Sequence, residues 1–263
     1  MDIQPLNPFG IEVTGFDIRA AQKSDIEQLQ QLLATDGVVV LRQQRATDAD
    51  FVAFLKQLGP LTFTVGETPV AHAPELNIVT NVGPTRPPRS VFHTDTSYIA
   101  RPPAYTALRA VALPQRGGET LFANQYWAYK TLPKTVKQQL AAAQVLHMVT
   151  GLTLDQHRER QSWHPLFRAH PISKRIAIYL STPERCQEMS GMGDRARHYD
   201  TQRVIRLLYR HSIRSYRLYR HRWQPNDILI WDNRCTLHRA DHSQVVGART
   251  LHRGLVMETC LAP

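Results

Sequence analysis

The sequence predicts a mainly β fold with flanking helices, arranged as a double-sheet jelly roll or a barrel. Short apolar or alternating runs recur along the chain, clusters of Pro, Gly, Asn and Asp separate them, and helical periodicity gathers near the amino terminus. Many short strands bounded by turns argue for packed sheets, with the early helices bracing one side.

The elements follow in chain order. Residues 3–18 read as short extended pieces broken at Gly10 and Gly15. Ser24-Asp25-Ile26-Glu27 has the S-x-x-E form of a capping box, Ile26, Leu29, Leu32 and Leu33 recur at helical spacing, and Gly37 supplies the stop. Val38-Val39-Val40-Leu41 is an uninterrupted apolar run, the mark of a central strand buried on both faces. A second helix is expected from a Thr47 cap through Phe51, Phe54, Leu55 and Leu58 to Gly59. After a strand at 76–82, residues 83–90 are too rich in Pro and Gly to continue a sheet. They read as a lid carrying Arg86 and Arg89 over a pocket, or as a plain surface connection. Extended segments are expected at 105–113, 119–123, 144–150, 166–170 and 175–180, interrupted by a helix at 133–142. Residues 228–231 and 251–257 form the last strands. No linker, repeat or low-complexity tract divides the 263 residues, so one domain, 1–263, is expected.

Composition narrows the class. A hydrophobic fraction of 42% with 21% charged residues describes an ordinary soluble globule with a sizeable core. No apolar run approaches the ~20 residues that span a bilayer, and Met1-Asp2-Ile3-Gln4-Pro5 lacks the features of a secretory leader. Cys186, Cys235 and Cys260 form no CxxC, which fits a reducing cytosol, so a cytoplasmic protein without membrane partners is expected. The net charge of +10 is largely local, because arginines recur at 203, 206, 210, 214 and 217. On a helix at about 200–217 that spacing makes one basic stripe, with Val204, Ile205, Leu207 and Leu208 toward the core. A solvated helix face accounts for it. Nucleic acid is the sharper alternative, but no zinc finger, RNP-like strand or tandem repeat accompanies the stripe, so it is not an expected partner.

Chemistry concentrates at Val91-Phe92-His93-Thr94-Asp95-Thr96-Ser97-Tyr98. In extended backbone, residues two apart share a face, so His93 and Asp95 project together while Thr94 turns away. Two imidazoles and one carboxylate leaving the opposite metal face open is the arrangement of non-haem Fe(II) oxygenases. The triplet alone is equally consistent with a hydrogen-bonded His–Asp pair. His238 stands where the strand ending in Trp231-Asp232-Asn233-Arg234 turns back. Beyond it, Arg249 and Arg253, four apart, would share a face in extended backbone and suit bidentate capture of carboxylates.

Taken together, these motifs resemble the taurine dioxygenase family of Fe(II)/2-oxoglutarate oxygenases, which includes the 2,4-dichlorophenoxyacetate enzymes. The likeness runs through Glu12-Val13-Thr14-Gly15-Phe16-Asp17, Val40-Leu41-Arg42-Gln43-Gln44, His93-Thr94-Asp95, Gly117-Gly118-Glu119-Thr120-Leu121, Gly191-Met192, Trp231-Asp232-Asn233-Arg234 and Arg249-Thr250-Leu251-His252-Arg253. The resemblance implies a double-stranded β-helix (jelly roll), with His93, Asp95 and His238 on Fe(II). It further implies Thr120 and Arg249 on the distal carboxylate of 2-oxoglutarate, O2 as the other co-substrate, and Arg253 on the anionic group of a small-molecule substrate. Arg86, Arg89 and Thr96 complete the candidate substrate contacts. Oxidative decarboxylation of 2-oxoglutarate to succinate and CO2 would be coupled to hydroxylation. Desaturation, cyclisation or decarboxylation on the same scaffold stays open, as does a homo-oligomer, and Asp95 argues against halogenation, for which related enzymes replace that carboxylate. Residues 61–66 lack the His and Tyr with which the taurine enzyme clamps its sulfonate, Arg89 stands near the place of an Asn, and Ser181-Thr182-Pro183-Glu184-Arg185 stands where an aromatic pocket residue is frequent. An organic acid other than taurine is therefore the expected substrate.

Overall fold

The computed structural model describes residues 1–64, 66–83, 90–151, 158–194 and 200–258. Its frame is a nine-stranded sheet ordered Asp2–Pro5, Ile11–Thr14, Val38–Leu41, Ile228–Asp232, Tyr105–Ala112, Thr250–Val256, Ala73–Thr80 and Pro69–Val70, with Leu61–Thr62 paired to Thr250–Val256. A three-stranded sheet of Leu218–His221, Thr120–Asn124 and Thr236–Ala240 packs against it. The fold is the jelly roll that the sequence predicts.

Alternation within two apolar runs sets the layers. Val39, Leu41, Ile228 and Ile230 face the helices and pack with Leu29, Leu33, Phe51, Phe54 and Leu55. Val38, Val40, Leu229 and Trp231 face the smaller sheet and pack with Phe122 and Tyr219. Strands covered on both sides have no solvated face, which is why neither run contains a polar residue before Asp232. Each such side chain contributes about 1.5–3 kcal/mol on burial.

Helix α1 spans Lys23–Asp36 and ends at Gly37, whose φ of 78° lies in the left-handed region and whose N–H donates to the Leu33 carbonyl. Its start differs from expectation: Gln22 is the N-cap, and the carboxylate of Asp25, not Glu27, accepts from the Gln22 N–H. A shorter carboxylate two residues earlier makes the same closure. Helix α2, Asp48–Leu58, begins as expected, with Thr47 Oγ1 accepting from the Asp50 N–H.

Other departures have local causes. A short helix that was not expected, α3 (Gln125–Lys130), precedes α4 (Lys134–Gln139), which is the helix expected at 133–142 in shorter form, capped by Pro133. Strands Gln161–Pro165 and Cys186–Ser190, which flank Gln144–Met148, were not expected, because charged and polar residues dilute their alternation. The basic helix α5 covers Thr201–Ser212 only, and Arg214 and Arg217 belong to the turn that follows. Ile205 and Leu208 are buried, yet Leu207 is 55% exposed. At 100° per residue, position 207 lies nearly opposite 205, so it cannot share the buried face. The expected lid falls mostly outside the described residues, as do Arg86 and Arg89. No helix among the described residues is long and apolar enough to cross a membrane.

Where the strand Ile228–Asp232 ends, a buried ionic knot fixes the following turn. Arg234 donates to both carboxylate oxygens of Asp232 and to Glu258, and His170 Nε2 lies 2.9 Å from Asp232. Burial alone would raise the Asp232 carboxyl, but the Arg234 guanidinium and the His170 hydrogen bond outweigh it and bring it down to about 2 from 3.8. A depressed carboxyl stabilises the fold above its unfolded value and loses that contribution as pH falls through its folded value. Acid unfolding of Asp232→Asn, followed by circular dichroism, is expected to show lower stability at neutral pH and a shallower decline between pH 4 and pH 2 than the parent.

Candidate metal centre

The alternation Thr236-Leu237-His238 builds the first arm of the site. Leu237 packs outward with Phe92, Leu121 and Ala123, so His238, one residue on, turns inward against Phe122 and Trp231. Opposite it, His93 is joined by a single antiparallel bridge: His93 N–H donates to the His238 carbonyl at 2.9 Å, and His238 N–H donates to the His93 carbonyl at 3.0 Å. Residues 91–98 are therefore not the strand that the sequence suggests. One bridge sets His93, and a turn beginning at Asp95 brings the carboxylate round. Thr96 takes the left-handed φ of 47° inside that turn.

His93, Asp95 and His238 each offer a ligand atom within 4.8 Å of the others, and each is less than a tenth exposed. His93 Nδ1 lies 2.9 Å from the Val91 carbonyl, which can only accept, so Nδ1 carries the proton. Nε2 faces Asp95 Oδ1 at 3.5 Å. His238 Nε2 lies 3.7 Å from Asp95 Oδ2. Burial pushes the His238 imidazole down to about 3, so the ring is neutral at physiological pH. Burial opposes ionisation of Asp95 as well, but the surrounding His238, His93 and Arg253 hold its carboxyl well below the usual range. Two imidazoles and one carboxylate form the donor set that suits a ferrous ion, and these three residues have the reach to hold one.

Register extends the site to a second charge. His238 stands opposite Phe122, and Thr120 lies two residues along on the same face. Thr120 Oγ1 accepts from Trp223 Nε1 at 3.2 Å and from Arg249 Nη2 at 3.3 Å, which leaves its own proton to donate. Arg249 is 1% exposed; its Nε donates to the Gly118 carbonyl at 2.8 Å, and its Nη1 has no hydrogen-bond partner. Burial lowers this guanidinium to about 10. A cation held this dry with a free N–H beside a free hydroxyl proton is a receptor for a carboxylate. Gly118, at φ +79°, makes room for it, because a Cβ there would stand 2.9 Å from Arg249 Cδ.

Arg253 reaches the centre from the adjoining strand, with Nη1 3.9 Å from Asp95 Oδ1 and Nη2 3.3 Å from Glu67 Oε1. Its Nε is buried without a partner. The structure thus brings together His93, Asp95, His238, Thr120, Arg249 and Arg253. Thr96 follows Asp95 in the same turn.

Several neighbours have no sequence signal as site residues. Thr106 and Asn233 support Asp95, and Glu67 and Thr64 meet Arg253. Segment 180–185 holds the turn from behind: Ser181 Oγ accepts from the Thr94 N–H, Thr94 Oγ1 donates to the Leu180 carbonyl, and buried Arg185 donates to the Thr94 carbonyl. Trp231-Asp232-Asn233-Arg234 stood out only as a motif. Its spacing gave no sign that Asn233 leaves the strand toward Thr106.

Comparison with known proteins follows the same lines. Residues 2–255 match the model of the Taurine catabolism dioxygenase TauD, TfdA family. An alpha-ketoglutarate-dependent 2,4-dichlorophenoxyacetate dioxygenase of Cupriavidus pinatubonensis is 27% identical over 284 residues, covering 97% of this chain and 96% of that protein. An alpha-ketoglutarate-dependent sulfonate dioxygenase of Saccharomyces cerevisiae is 27% identical over 270 residues, covering 94% of this chain; the chain spans 63% of the yeast protein's length. The crystal structure of a taurine dioxygenase from Burkholderia xenovorans superposes with a TM-score of 0.82 at 27% identity, covering 98% of this chain and 91% of that one.

Because Arg249 is desolvated and has no counter-ion among the described residues, its charge is a cost to the unliganded fold. Arg249→Met is expected to match or exceed the parent in urea stability without ligand, and to lose the rise in melting temperature that 2-oxoglutarate gives the parent. Gly118→Ala is expected to weaken that response without abolishing it, because the added methyl displaces the guanidinium. Thermal-shift titration measures both.

Proposed function

The chain belongs to the TauD, TfdA family of dioxygenases, which work with Fe(II), 2-oxoglutarate and O2, and we propose that it hydroxylates a C–H bond of a small organic acid other than taurine. The observation that carries this reading is the convergence of His93, Asp95 and His238 beside a buried arginine whose Nη1 has no hydrogen-bond partner among the described residues. We take residues 1–263 as one catalytic domain, in keeping with the family match over 2–255.

In this reading His93, Asp95 and His238 would hold the ion, which would supply the site for the chemistry of 2-oxoglutarate and dioxygen. Bound Fe(II) and 2-oxoglutarate together supply the electrons that activate dioxygen, with release of succinate and CO2. Thr120 donates its hydroxyl proton, and Arg249 its Nη1–H, to the distal carboxylate of 2-oxoglutarate. That pairing returns a counter-ion to a guanidinium that burial has stripped of water. Asp95 stays ionised and supplies the single anionic ligand. Arg253 orients the acidic group of the prime substrate, with Arg86, Arg89 and Thr96 as further contacts. The walls are dry, since Phe122 and Trp231 pack against the His238 ring and close the centre from behind. Exclusion of water protects the reactive stage and strengthens every charge interaction around it.

The lack at residues 61–66 of the His and Tyr with which the taurine enzyme clamps its sulfonate supports a substrate other than taurine. There the chain presents Thr64, and close by Glu67, to the Arg253 guanidinium.

Anaerobic addition of Fe(II) and 2-oxoglutarate to the purified protein is expected to give a weak visible charge-transfer band. Succinate release should then rise with one member of a panel of organic acids, and the product should gain one oxygen atom by mass spectrometry. His93→Ala and Asp95→Ala are each expected to abolish the band and to lower succinate release by more than about 100-fold. Full activity in both variants would overturn the metal assignment.

A further inference from the structure

We infer that Thr106 is a positioning residue for the metal centre, the last member of a one-way hydrogen-bond relay that runs from Trp231 through Asn233 to Asp95. The inference rests on the metal-binding role proposed above and concerns how that role is supported.

Trp231 Nε1 donates to Asn233 Oδ1 at 3.0 Å, Asn233 Nδ2 donates to Thr106 Oγ1 at 2.8 Å, and Thr106 Oγ1 donates to Asp95 Oδ2 at 2.8 Å. Both ends of this chain are chemically one-way. An indole N–H can only donate, and an ionised carboxylate can only accept. The indole therefore fixes which way the Asn233 amide faces. Its NH2 must then point at Thr106, whose single hydroxyl proton is left with one destination, Asp95. None of the three supports is more than 2% exposed, so water cannot substitute for a lost member.

The relay stands on the most central part of the large sheet. Trp231 and Thr106 are direct partners across the strands Ile228–Asp232 and Tyr105–Ala112, so they share the inner face. Asn233 follows as the chain leaves its strand, tied by its N–H to the Ala104 carbonyl at 2.8 Å. The indole of Trp231 also packs against the His238 ring, with centroids 4.5 Å apart. One side chain thus braces two arms of the site, the imidazole by contact and the carboxylate through three hydrogen bonds in series. His93 is braced separately by Val91.

Thr106 consequently anchors Oδ2 and fixes the rotation of the carboxylate, which holds Oδ1 toward His93 before any ion arrives. Support of this kind for metal ligands is worth about 10–100-fold in metal affinity.

The test is calorimetric titration of the apo protein with Mn(II), with apo melting temperatures measured alongside. Thr106→Val keeps the shape and removes the hydroxyl, and it is expected to weaken Mn(II) binding by about tenfold or more. Thr106→Ser, which restores the hydroxyl, is expected to recover most of that loss. Asn233→Leu removes the group that directs the Thr106 proton, so it should weaken binding less than Thr106→Val, and the double variant should fall short of the sum of the two effects. Mn(II) affinity in Thr106→Val within about twofold of the parent would overturn the relay. Should Thr106→Val fail to fold, Asn233→Leu decides, and an unchanged affinity there overturns it equally. A parent protein that binds no Mn(II) is a different result, because it removes the metal centre itself.

Discussion

A pair of backbone hydrogen bonds between His93 and His238 holds the site together. It stitches the segment carrying Asp95 to the smaller sheet, next to the packing of Phe92 on Leu121, Ala123 and Leu237. Without it the two imidazoles would belong to separate parts of the chain. Because the bridge involves N–H and C=O groups that any sequence possesses, residue type does not specify it. It depends on the sheets being packed at the right separation, and the inner layer around Phe122, Trp231 and Leu229 sets that separation.

Charge placement follows from the same packing. Asp95 is buried but surrounded by His93, His238 and Arg253, whereas Arg249 is buried with only neutral oxygens for company. The first arrangement favours an anion that stays ionised, and the second a cation waiting for one. Between them the site offers a carboxylate for a metal and a guanidinium for an acid, which is the electrostatic requirement for binding an ion and a dicarboxylate side by side. Asp48 shows a different use of buried charge: Arg109, His252 and His72 satisfy it completely, and it serves to tie α2 to the sheet.

Much of this was visible in the residues. Val38–Leu41 and Ile228–Trp231 announced strands with no wet face, Thr47 and Gly37 marked helix ends, and His93, Asp95, His238, Thr120, Arg249 and Arg253 all occupy the candidate site. What failed did so for identifiable reasons. Residues 91–98 have strand-like composition, but a turn forms because Thr94 is clamped by Leu180, Ser181 and Arg185, far away in sequence. Leu207 was placed inward by counting apolar residues, and the helical angle turns it outward. Thr106 gave no signal, because a lone threonine in an apolar strand looks like any other β-branched residue.

The sequence by itself determined the period of each element, the capping of the early helices and the identities of the groups able to bind metal and carboxylate, since these depend on side-chain chemistry and near-neighbour spacing. Only the tertiary structure decided the turn at Asp95, the dry setting that leaves Arg249 without a counter-ion, and the direction of the Trp231–Asn233–Thr106 relay. Each of these requires groups from distant strands to meet in a space closed to water, and no local pattern encodes which strands will be neighbours.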